Sequence, residues 1–123
     1  MKKHSLFLIL IVFALFIGGC KYDFILPDYV PPVAAGVSFS TQVAPIFSTG
    51  DKCTSCHKSG GVASDLTSAN AYAQIVPNLV NTASPESSEI LTVPGSSAHS
   101  WKDYTDPERA IILVWITEGA KNN

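Results

Sequence analysis

The run Cys53-Thr54-Ser55-Cys56-His57 constrains this chain more than any other stretch of it. Two thiols three positions apart can each add across one vinyl group of a single porphyrin, and the imidazole that follows then lies under the iron as its proximal axial ligand. The run therefore reads as the attachment site of one c-type haem, with Cys53 and Cys56 as thioether donors and His57 as an iron ligand. Three other readings stand beside it. A thioredoxin-like dithiol needs a strand before the motif and a helix after it, whereas residues 51–61 are polar and turn-rich. A structural zinc site needs four N or S ligands, and Cys53, Cys56, His57 and one distant histidine would be the entire supply. A Cys53–Cys56 disulfide is open to a protein in an oxidising compartment, but it leaves His57 without a task.

The N-terminus describes export. Lys2 and Lys3 form a basic start, Leu6 to Ile17 is an unbroken apolar stretch of 12 residues, and Gly18-Gly19-Cys20 follows at once. That pattern is expected of a signal peptide over residues 1–19, and the stretch is short of the ~20 residues that a membrane-crossing helix needs. Its ending resembles a bacterial lipobox, in which Cys20 becomes the lipidated first residue; an ordinary secretory signal with a free Cys20 thiol is the alternative. Acyl chains would tie the protein to the inner or outer membrane without spanning it, with the rest in the periplasm or at the cell surface.

Cleavage changes the inventory of iron ligands. The chain's one methionine is Met1 and one of its three histidines is His4, so the remaining 104 residues keep only His57 and His99 and no thioether of methionine. His/Met ligation is excluded by composition. Loss of Lys2 and Lys3 leaves six basic against ten acidic side chains, a net charge of about −4. That balance argues against nucleic acid as a partner and favours docking to a basic patch on a redox partner.

Residues 20–37 carry Pro27, Pro31, Pro32 and Gly36 with no lasting period and read as an extended tether. Residues 38–123 make one domain of 86 residues, whose thin core a bound macrocycle would fill. Four helices are expected in it and no strand. The first covers residues 40–47, with Phe39, Val43, Ile46 and Phe47 on one face and a kink or fresh turn at Pro45. The second is capped by Ser68 and stopped by Pro77. The third starts at Ser84-Pro85 and runs to Leu91, before a Pro94-Gly95 turn. The last opens on the capping box Thr105-Asp106-Pro107-Glu108 and closes at Gly119.

Helix residues Val43-Ala44-Pro45-Ile46-Phe47, the Cys53–His57 motif, the Ser59-Gly60-Gly61 turn and a terminal helix ending Trp115-Ile116-Thr117-Glu118-Gly119-Ala120 together resemble a small class I cytochrome c domain. The likeness is greatest to lipoprotein cytochrome c modules of Bacteroidetes and related bacteria, and it covers residues 38–123. It implies an all-α fold of three to four short helices around one covalently bound haem, with the first and last helices crossing so that Phe39 and Phe47 face Trp115. It also implies a distal ligand from the loop before the last helix, where His99 is the only strong donor; an exposed His99 and an open sixth position is the alternative. Trp101 and Tyr104 would cover the distal face or be half-buried loop aromatics. Lys52 and Lys58 would line the haem edge or be ordinary exposed lysines. Asp65, Asn70, Glu86 and Glu89 read as surface and caps.

The expected function is one-electron transfer by a membrane-anchored monohaem carrier, with a haem-based module that binds small ligands as the alternative. No paired carboxylates, Ser/His/Asp set or phosphate loop offers residues for enzymatic hydrolysis or group transfer.

Overall fold

The structure is a computed structural model that describes residues 32–123. Cys20, the expected signal segment and most of the expected tether lie outside the described residues.

Ser38 has extended backbone and its hydroxyl accepts from Thr41 N, which caps the first helical segment. Pro45 has no N–H to continue a uniform ladder, and the chain answers with a π-helical stretch, Phe39–Val43, that leads into helix α1, Ala44–Ser48. The fresh turn expected at Pro45 is therefore present. A short 3-10 turn, Thr49–Asp51, carries the chain into the motif.

Helix α2 spans Ala71–Leu79 and differs from expectation at both ends. Ser68 is not its cap. Instead Asp65 accepts from Thr67 N at 2.9 Å, Thr67 Oγ1 at 2.6 Å and Asn70 Nδ2 at 2.9 Å, and so sets the turn from which α2 starts. Pro77 does not stop the helix: it lies on the exposed side of the last turn, where only one further turn's bonding is at stake. The single helix expected from Ser84 to Leu91 is split. Pro85–Ser87 is a 3-10 turn, and helix α3 is only Glu89–Thr92. Ser88 breaks the two with ψ 131° because its buried hydroxyl is taken by Asn81 N at 3.0 Å.

Helix α4, Asp106–Thr117, begins with the expected reciprocal capping box between Thr105 and Glu108. It ends with Gly119 at φ +97°, Gly119 N on Ile116 O and Ala120 N on Trp115 O, both at 2.9 Å. This is the paired closure in which a left-handed glycine satisfies the last carbonyls.

The described residues contain helices and no strand, so the domain is all-α. The core joins the π-helical segment, α1, α2, α3 and α4 through Val43, Phe47, Ile75, Ile90, Ile112 and Trp115. Phe39 meets Trp115 with ring centroids 5.2 Å apart and Tyr72 edge-on at 5.2 Å. The expected second partner of Trp115, Phe47, is fully buried but makes no ring pair with it; Tyr72 takes that place at 6.4 Å. The polar atoms of this cluster are satisfied by the chain after α4: Trp115 Nε1 donates to Lys121 O, and Tyr72 Oη donates to Ala120 O, each at 2.9 Å.

Candidate functional site

The motif folds as a tight turn hung from α1. Cys53 N and Thr54 N both donate to Phe47 O, and Cys56 N and His57 N both donate to Cys53 O. This helical turn puts positions 53, 56 and 57 on neighbouring sites of one face. The loop then doubles back: Val62 N donates to Cys56 O, and Leu66 N to His57 O. Gly60 supplies a left-handed turn at φ +74°. Gly61 is needed for a different reason, since a Cβ there would collide with the carbonyl oxygen of Cys56.

Beside the turn lies a cleft of ≈ 190 Å³, walled by Leu66, Leu79, Ile90, Val93, Pro94 and Tyr104, with Cys53, His57 and His99 at its edge. Cys53 is half-buried in that wall, Cys56 is exposed outside it, and both are free thiols. Burial pushes the Cys53 thiol up, and the charges of Lys52 and Lys102 pull partly against it.

The two histidines, 42 residues apart in sequence, are brought together. Their ring centroids are 6.1 Å apart, with planes inclined by 36°. His57 Nδ1 is 3.1 Å from Ser64 O and His99 Nδ1 is 3.3 Å from Lys102 O. A proton on each Nδ1 would be donated to its carbonyl and leave Nε2 as the free lone pair, the arrangement that orients metal-bound imidazoles. Two thiols and two imidazoles oriented in this way are a donor set that could hold a tetrapyrrole iron, the thiols as covalent tethers and the imidazoles as nitrogen ligands.

Neighbouring side chains stiffen the rim. Arg109 donates to Leu91 O and to Asp103 Oδ1, each at 2.6 Å, and lies 5.7 Å above the Tyr104 ring, so one guanidinium ties α4 to α3 and to the loop that carries His99. Tyr104 is buried, and desolvation drives its phenol well above the ordinary range. Trp101 is exposed but stacks on His99. Lys52 is not free at the surface, because it pairs with Glu108, whereas Lys58 is exposed.

Sequence reasoning missed Glu89, which borders the cleft, and the carbonyls of Ser64 and Lys102 that orient the two imidazoles. Neither carbonyl has a side-chain signal by which it could have been found. Of the competing readings, a βαβ dithiol lacks its strand among the described residues, and no group of three or more His, Cys, Asp or Glu gathers there as a bare-ion site. Compared with known proteins, the chain matches no family model, no curated protein and no solved structure.

Proposed function

We propose that the chain is a monohaem c-type cytochrome, anchored to a cell-envelope membrane through an acylated Cys20, that passes single electrons between protein partners and is a carrier and not an enzyme. The observation that carries this reading is the closeness of His57 and His99, with ring centroids 6.1 Å apart and each Nδ1 on a backbone carbonyl. When bound, the haem supplies one-electron cycling between Fe(II) and Fe(III). Cys53 and Cys56 would hold it by thioethers, and two imidazoles would close both axial positions to oxygen and peroxide. The apolar wall of Leu66, Ile90 and Tyr104 would keep water from the ring and favour the lower net charge.

The test is the full-length chain matured in cells competent for c-type haem attachment. One haem per chain by mass, a c-type pyridine haemochrome spectrum and a low-spin ferric spectrum that turns high-spin in His99→Ala are expected. Colourless protein overturns the reading. Haem with an unchanged spectrum in His99→Ala favours the open-site, ligand-binding alternative. Cys20→Ser is expected to release the protein from the membrane fraction, and retention there would remove the lipid anchor.

A further inference from the structure

Trp101 has the highest exposure, 69 %, of the large apolar side chains exposed among the described residues. Solitary exposed aromatics are common and need no explanation, but the contact made by its inner face does. The indole lies within 21° of the His99 imidazole plane, with centroids 5.3 Å apart.

His99 sits in an irregular loop between α3 and α4, built from short-range turns: His99 N on Ser96 O, Lys102 N on His99 O, and Gly95 N on both His99 O and Lys102 O. Nothing in those bonds grips the imidazole. Its one hydrogen bond, from Nδ1 to Lys102 O, is 3.3 Å, at the long end of the useful range. A ring pinned at a single atom can still tilt about it, and a flat neighbour against its face removes that tilt. His57 is likewise bonded through its main-chain N and O, to Cys53 O and from Leu66 N, and its ring is held by one shorter bond, 3.1 Å to Ser64 O.

We propose that Trp101 is a positioning residue for His99, stacking on the imidazole so that it stays set toward His57 and keeps the sixth iron position closed. The proposal rests on the haem reading above. Its consequence is kinetic. Carbon monoxide can reach ferrous iron only while His99 is off it, so the rate of binding reports the fraction of time that the imidazole is released.

The experiment is stopped-flow carbon monoxide binding to the reduced, haem-loaded full-length protein, with ferric spectra recorded alongside. An aromatic stack is worth enough to change an equilibrium roughly two- to tenfold, so Trp101→Ala is expected to bind carbon monoxide faster by that factor and to show added high-spin ferric signal. Trp101→Leu, which keeps apolar cover but loses the flat face, should follow it, whereas Trp101→Phe should stay within about twofold of the parent. His99→Ala sets the fast limit. Parent-like rates in Trp101→Ala and Trp101→Leu beside a fast His99→Ala would overturn the proposal and leave the haem reading standing. A His99→Ala rate equal to the parent would overturn both the ligand and its support, and absence of haem would overturn the functional reading itself. Because Trp101 is so exposed, its replacement leaves the core intact, which far-ultraviolet circular dichroism would verify.

Discussion

Lys52 and Glu108 form an ion pair that ties the residue before Cys53 to the first turn of α4. The same Glu108 Oε2 also accepts from Thr105 N at 2.8 Å and Thr105 Oγ1 at 2.9 Å. One carboxylate oxygen thus caps the terminal helix and fastens the motif loop to it, which couples the Cys53–His57 turn to the core across 56 residues of chain.

That coupling carries a pH signature. Partial desolvation pushes the Glu108 carboxyl up, but the hydrogen bonds from Lys52 and Thr105 outweigh it and hold the group below the ordinary carboxylate range. A group with a depressed folded value contributes its stability above the unfolded value of about 4.3 and loses it as pH falls through the folded one. Glu108→Gln is expected to cost about 1 kcal/mol at neutral pH, for a cap and a partly exposed pair. Urea unfolding should show the gap between parent and variant shrinking as pH falls below the ordinary carboxylate value of about 4.3; a gap that stays constant on acidification would refute the assignment.

Trp115 is the largest buried side chain and the shared neighbour of Phe39 and Tyr72. Truncation to alanine leaves a cavity between the first and last helical segments and strands the Lys121 carbonyl without its donor. We expect Trp115→Ala to cost on the order of 3–5 kcal/mol, a large part of the stability of so small a domain. The midpoint of thermal unfolding would drop by well over ten degrees. A midpoint within a few degrees of the parent would show that this cluster does not hold the two segments together.

What was legible beforehand was local. Thr105 and Glu108 lie three residues apart and announce their reciprocal cap, and Gly119 announces the end of α4, because the bonds involved close within a turn. The Cys53–His57 run closes into a turn of its own, Cys56 N and His57 N on Cys53 O, for the same reason. Ser88 was not, since what breaks the helix there is a hydrogen bond from Asn81, outside the helical pattern. The exchange of Phe47 for Tyr72 as the ring beside Trp115 depends on how α2 docks, which no periodicity within α1 encodes. The setting of His99 depends on a carbonyl at Lys102 and a ring at Trp101, and His57 meets it only after the chain has folded.

Two adjacent glycines offer a clean separation between backbone freedom and close approach. Gly60 sits at φ +74° with nothing within 4 Å of the place a Cβ would take, so Gly60→Ala suffers only the cost of a left-handed conformation, about 1 kcal/mol. Gly61 has no such conformational demand, but its Cβ would strike the carbonyl oxygen of Cys56, which accepts from Lys58 N and Val62 N and cannot give way without opening the turn. Gly61→Ala should therefore cost more than Gly60→Ala, about 2 kcal/mol or above. It should also disturb the spacing of the two thiols, while Gly60→Ala leaves it alone. Urea midpoints would rank the stabilities, and, on the function proposed above, the yield of covalently bound haem per chain would report the thiol geometry. If Gly60→Ala lost as much of both as Gly61→Ala, the return of the loop over Cys56 would not be what holds the motif in shape.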